Sequence, residues 1–295
     1  MGGAEWLLLV MLSVLWAGSF LFYRVLAAEL PPLTTVFGRV GIGALAMLMY
    51  LRACNIPRAV PRPMIPKFFI LATLNNVIPF TLFAWAETRV TSGTAAILNA
   101  MTPIITVLVA GLVLRNETLT AARVIGVLAG FAGVAVLIGP GVLVGQDIWG
   151  QAACLLAAFT YGFGVPYGRR LAGLEPAVIA TGQLVASTIL MLPLVLVFNS
   201  GPPTLDLAGW ASLIGLALLS TALAYLIFFR ILARAGATNL SLVTFLIPVT
   251  SLALGASLLR EPITLSALGG VALIGIGLAA IDGRVARVLG RSRAG

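Results

Sequence analysis

The chain has 295 residues, 60% of them hydrophobic and only 9% charged, with a mean hydropathy of +1.11. No water-soluble domain buries that much apolar surface, so hydrocarbon must solvate most of the molecule and no length is left for a soluble catalytic domain. The net charge of +9 would suggest nucleic acid in a soluble protein, but here the positive residues sit in short loops and the C-terminal tail, so no nucleic-acid partner is expected.

Apolar runs bounded by charges, prolines and glycines mark ten spans, at 6–27, 33–51, 67–86, 92–114, 121–139, 150–168, 176–198, 208–230, 237–259 and 264–282. Each has the roughly 17–25 residues that a ~30 Å hydrocarbon layer demands. The first lacks a basic leader and carries Glu5, so it reads as a retained helix and not as a cleaved signal. It offers Ser13, Trp16 and Ser19. The second holds Arg39, the one basic residue set clearly inside a span. Such an arginine either reaches back to the interface or holds a carboxylate. The third span contains the adjacent amides Asn75 and Asn76, then Phe80, and ends at Glu87. Two amides in a membrane helix need partners or water. Pro103 is residue 12 of the 23 in the fourth span, and Pro248 is residue 12 of 23 in the ninth. Each proline leaves the carbonyl four residues earlier without its helical donor, here at Asn99 and Thr244, near mid-membrane. The sixth span adds Tyr161 and the eighth Tyr225. Gly126 and Gly130, like Gly164 and Gly168, are spaced for close helix contact, and span five could thereby form a homodimer face.

With the N-terminus in the cytoplasm, 14 of the 18 Lys and Arg residues fall on the cytoplasmic side, leaving Arg24, Arg39, Arg89 and Arg260 opposite. That asymmetry puts both termini in the cytoplasm. On the same assignment Cys54 and Cys154 lie on different sides and cannot pair. A shift of 145 residues superposes Arg24 on Arg169, Pro31 on Pro176, Pro57 on Pro202, Arg89 on Arg234 and Pro103 on Pro248. Five spans per half is an odd number, so the second copy enters the membrane from the opposite side. The expected fold is all-α and integral to the membrane: ten helices in two inverted five-helix repeats, 1–145 and 146–282, with a basic cytoplasmic tail at 283–295.

Several residues also carry a family resemblance. Leu15 to Ala27 has the tryptophan, small residues and terminal base that begin each half of EamA-type proteins of the drug/metabolite transporter superfamily. Gly93 to Gly139, with Pro103 and Glu117, resembles the family's repeated signature. Asn239 to Asp282 repeats it with Pro248, Arg260-Glu261-Pro262 and Gly270/Gly277. The resemblance implies a secondary transporter of small organic metabolites in the inner membrane, most like an amino-acid exporter, including those for aromatic amino acids; an exporter of drugs or other metabolites is the alternative.

Binding is expected where the halves meet, at Trp16, Ser19, Asn75, Asn76, Phe80, Asn99, Pro103, Tyr161, Tyr225, Thr244 and Pro248, with Arg39 as a carboxylate contact. There is no phosphate loop for ATP and no histidine for a metal, so no cofactor is expected. No Asp or Glu lies mid-span, which argues against proton coupling through a buried carboxylate and for facilitated transport or exchange. A membrane-embedded enzyme would need paired acids, a metal set or a nucleophile with its base, and a channel a filter or charged rings; neither pattern is visible.

Overall fold

A computed structural model describes residues 1–57, 59–115, 117–139, 144–145, 147–198, 205–258 and 265–281. Arg260-Glu261-Pro262 and the expected tail 283–295 lie outside them. The described residues form helices and no strand. They are α1 (Gly3–Glu29), α2 (Pro32–Ala53), α3 (Ile65–Ala72), α4 (Ile78–Ala86), α5 (Ser92–Asn99), α6 (Thr102–Leu108) and α7 (Ala121–Ile138). Then follow α8 (Ile148–Tyr167), α9 (Pro176–Phe198), α10 (Leu207–Ala217), α11 (Ala224–Ser241), α12 (Val243–Leu258) and α13 (Leu265–Ile281). Seven helical stretches among these residues are long and apolar enough to cross a membrane, and Gly3–Ser19 and Leu265–Ile281 are shorter apolar ones. The molecule is a multi-span membrane protein. Leu45, Met49, Ile125, Leu196, Val197 and Phe198 remain exposed in the isolated chain, as lipid-facing side chains must.

Local chemistry sets the helix starts. Thr91, Thr120, Asp147 and Asp206 each accept a hydrogen bond from a first-turn N–H of α5, α7, α8 and α10, satisfying a donor that the helix itself cannot. Pro32 and Pro176 open α2 and α9, where a missing N–H costs nothing.

The helix interruptions differ from those expected of the two prolines. The chain leaves the helix at Ala100 and Met101, so Pro103 falls in the first turn of α6 rather than mid-helix. Pro248 stays inside the continuous α12, and the second half breaks instead at Leu242 and at Gly236. Gly236 has φ 83 and ψ 172, which divides the 35-residue stretch Leu207–Ser241. A side chain there would be strained, and its Cβ would lie 2.7 Å from Glu117 Oε1.

That Glu117 carboxylate holds the break together. Oε1 accepts hydrogen bonds from Ala237 N at 2.6 Å and Thr238 N at 3.3 Å, capping the helical turn that restarts after Gly236. Arg169 Nη1 lies 3.4 Å from the same oxygen, and Arg123 Nη1 lies 3.2 Å from Oε2. With its side chain only 8% exposed, this carboxylate joins α7, α11 and the turn that follows α8 in one cluster. Glu117→Gln removes the charge and is expected to lower unfolding free energy by about 1–3 kcal/mol, read as a fall in the melting temperature of the detergent-solubilised protein.

Repeat-related helices pack on each other. α7 lies against α13, where a Cβ on Gly126 would meet Gly277 O at 2.8 Å and one on Gly133 would meet Gly270 O at 2.8 Å. Low numbers in one helix meet high numbers in the other, so the pair runs antiparallel. This corrects the homodimer expectation for span five: Gly126 and Gly130 are spent on α13 and Phe245 of the same chain and are closed to a second copy. α2 likewise lies against α9, with Gly41 facing Thr188 and Gly43 facing Leu184.

A π-turn interrupts each half at matching places, Thr73–Val77 between α3 and α4 and Leu218–Leu223 between α10 and α11. The 145-residue shift carries one onto the other, with Asn75 on Ser220 and Asn76 on Thr221. A π-turn loosens the regular ladder and frees backbone carbonyls, and such turns gather at functional sites.

Candidate functional site

Both freed carbonyls are used across the molecule. Asn75 O accepts from Tyr225 Oη at 3.3 Å, and Ser220 O accepts from Arg39 Nη2 at 3.1 Å. First-half and second-half residues thus cross-link at two equivalent points, and between them lies the central cavity. It encloses about 820 Å³ of space free of protein atoms, its open mouth included.

Of the residues singled out from sequence, the cavity brings together Trp16, Ser19, Arg39, Asn75, Phe80, Asn99, Tyr161, Tyr225 and Thr244. It does not include Asn76, Pro103 or Pro248, all of them buried elsewhere. Asn76 is fully buried in a separate network: its Nδ2 donates to Ser187 Oγ at 2.7 Å, and its Oδ1 accepts from Gln183 Nε2 at 2.9 Å and from Tyr225 Oη. That network ties the first π-turn to α9 and α11. Asn99 and Thr244 reach the cavity with side chains engaged locally, Asn99 Oδ1 accepting from Thr102 Oγ1 at 3.3 Å and Thr244 donating to Ser241 O at 2.9 Å.

Arg39 does not reach back to the interface. It is 4% exposed and points between the halves. Nε donates to Thr221 Oγ1 at 2.6 Å, Nη1 donates to Tyr23 Oη at 2.9 Å, and its guanidinium carbon lies 3.8 Å from the Phe80 ring centroid. Every partner is neutral, and among the described residues no carboxylate comes within ion-pair distance. A guanidinium is always charged, so a desolvated positive charge faces this cavity.

Asn75 is the second unusual group. It is 1% exposed and lines the cavity, yet neither its Nδ2 nor its Oδ1 has a hydrogen-bond partner among the described residues. Leaving a buried amide unpaired costs about 1–3 kcal/mol per group, so a ligand supplying those bonds would be favoured there. A Cβ on Gly164 of α8 would lie 2.3 Å from Asn75 Oδ1, so only glycine lets this amide sit where it does.

The remaining wall is aromatic. Trp16 meets Phe228 with ring centroids 5.9 Å apart, Phe83 meets Tyr161 at 6.2 Å, and Tyr225 meets Phe228 at 5.5 Å. An apolar chamber with one fixed cation and one free amide suits a small molecule with an anionic end and an apolar body. Sequence reasoning missed Tyr23, Phe83, Glu87 and Phe228. Glu87 was legible only as the end of a span, and nothing in the pattern says that this end turns inward.

Comparisons with known proteins agree with this architecture. A family model described as the EamA-like transporter family matches residues 4–139 and 148–281. An uncharacterized transporter of Archaeoglobus fulgidus is 24% identical over 280 residues, covering 93% of this chain and 97% of its own. A "Probable terminal-alkyne amino-acid exporter" of Streptantibioticus cattleyicolor is 28% identical over 292 residues, covering 97% and 94%. One solved structure superposes with a TM-score of 0.80 over 98% of this chain and 99% of its own, at 19% identity, a likeness of fold alone.

Proposed function

Because the chain belongs to the EamA-like transporter family, we propose that it is a secondary carrier exporting an amino acid, one with an aromatic or other apolar side chain, across the inner membrane. Membership makes it a transporter and not an enzyme. The observation that carries the substrate class is Arg39, a buried cation in the cavity wall whose described partners are all neutral. A substrate carboxylate would supply the missing counter-charge and two acceptor oxygens. The aromatic wall would take the side chain, and the free amide of Asn75 the remaining polar atoms. The relative named "Probable terminal-alkyne amino-acid exporter" supports an amino acid as the cargo. A hydrophobic cation, as many exported drugs are, would meet Arg39 with the wrong sign of charge.

The mechanism follows from two inverted five-helix repeats, ten spans in all, rocking against each other around a fixed site. Antiparallel packing of the repeat partners α2 on α9 and α7 on α13, with matching π-turns, supports that reading. Alternating access needs halves that separate on one side at a time, and the cavity's cross-links at Asn75 and Ser220 would serve as the pivot.

Counterflow in reconstituted vesicles tests the assignment. Vesicles preloaded with unlabelled phenylalanine are expected to draw in labelled phenylalanine transiently above equilibrium and saturably. Accumulation of neither aromatic nor aliphatic amino acids, with uptake of nucleosides or cationic drugs instead, would overturn the substrate class.

A further inference from the structure

Glu87 follows the span Arg62–Ala86 directly and is the acid that lines the central cavity together with Arg39. No hydrogen bond or ion pair holds its carboxyl among the described residues. Glu87 and Tyr23 are also shared with a second, smaller cavity bounded by Leu30, Pro32 and Thr35. The carboxyl therefore stands in the wall between the binding chamber and a separate pocket at the α1–α2 connection. Its position at the C-terminal end of α4 sets it against the partial negative charge of that helix, which favours a cation or a proton beside it.

We propose that Glu87 binds the ammonium group of the amino acid whose carboxylate meets Arg39, and that a proton occupies its carboxyl when the cavity is empty. This rests on the amino-acid reading above. Loading the cavity then breaks the O–H bond of Glu87, sends that proton to water, and leaves a carboxylate paired with the ammonium; no other bond changes. Cargo and proton compete for one carboxyl, so export in one direction is matched by a proton in the other. The absence of a mid-span acid from the sequence argues for facilitated transport or exchange, and the inward turn of Glu87 supplies the acid that pattern lacks.

The surroundings support a carboxyl that is neutral when alone. Burial pushes Glu87 up to about 7, while Arg39 pulls the other way. The described titratable groups facing it are Tyr23 from α1, Arg39 from α2, Cys154 and Tyr161 from α8, and Tyr225 from α11. Arg39 alone carries a fixed charge, and none of the others is an acid able to share the proton. The sign follows. Below the Glu87 value an incoming ammonium must expel a proton, so affinity falls by up to tenfold per pH unit. Above it the carboxylate is already free and affinity is flat.

Titration calorimetry of phenylalanine into the purified full-length protein, in buffers of different ionisation enthalpy, counts the protons released. At about pH 6 the wild type is expected to release roughly 0.9 proton per ligand, and at about pH 8.5 close to none. Glu87→Gln should release none at either pH and bind at least about tenfold more weakly at the higher one. Glu87→Asp, which keeps the acid, should restore a pH-dependent release and so separate loss of the carboxyl from damage to the fold. Glu87→Gln releasing the same number of protons as the wild type, with Arg39-dependent binding intact, overturns this proposal alone. If neither phenylalanine nor leucine binds the wild type, the amino-acid reading itself falls, and the role of Glu87 falls with it.

Discussion

Arg39→Gln is expected to cut the kcat/KM of amino-acid counterflow by about 100-fold or more, the loss of a desolvated charge-assisted pair worth at least roughly 3 kcal/mol. The substitution keeps an N–H where Nε meets Thr221 Oγ1, and removes the charge together with the Nη donors to Tyr23 Oη and Ser220 O. Because the groups left behind are neutral, the fold loses little, and melting temperature should change by the equivalent of about 1 kcal/mol. Arg39→Lys provides the second arm. Lysine keeps the charge but cannot reach Thr221, Tyr23 and Ser220 with one planar fork, so activity should lie between wild type and the glutamine variant. Equal loss of transport and of melting temperature in both variants would instead make Arg39 a structural strut between the halves.

Asn76→Ala should act on the fold rather than on the substrate. It strands the buried Gln183 Nε2, takes one partner each from Ser187 Oγ and Tyr225 Oη, which keep Gln183 O and Asn75 O, and cuts the side-chain link from the first π-turn to α9. The expected loss is on the order of 2 kcal/mol, moderated because hydrogen bonds inside membranes exchange with other polar groups. Thermal melting in detergent should show it at once. In whatever carrier remains folded, the KM for phenylalanine should stay within about threefold, since Asn76 does not line the cavity. The neighbouring Asn75→Ala should do the opposite, raising KM while leaving the melt nearly unchanged, because its amide has no protein partner to lose.

That contrast shows where sequence reasoning reaches and where it stops. Hydropathy located several helices closely because bilayer thickness imposes a length on a span, so the expected 121–139, 150–168 and 176–198 correspond to Ala121–Ile138, Ile148–Tyr167 and Pro176–Phe198. The 145-residue repeat also led to the equivalent polar pairs that prove to lie in the two π-turns. Direction is what a linear pattern cannot carry. Asn75 and Asn76 are adjacent and chemically identical, yet a π-turn aims one at the cavity and the other at Gln183. Arg39 lies deep enough either to reach the interface or to turn inward, and the acceptors that decide it, Thr221 and Ser220, come from about 180 residues away. The glycines of α7 were legible as a contact surface, but not that α13 of the same chain covers them. Of the two prolines, Pro103 lies just past a break and Pro248 marks none, while Gly236 and the Glu117 cap that stabilises its backbone decide where the second half bends.

The claim on which everything turns is that a buried guanidinium reads a carboxylate inside the cavity. Vesicle exchange of phenylalanine against phenethylamine, the same molecule without its carboxylate, tests it most directly, in the wild type and in Arg39→Gln. A carboxylate-reading cavity exchanges the amino acid at least about tenfold better than the amine, and that preference disappears with the arginine. Phenethylamine crossing as readily as phenylalanine, with neither changed in Arg39→Gln, would contradict it.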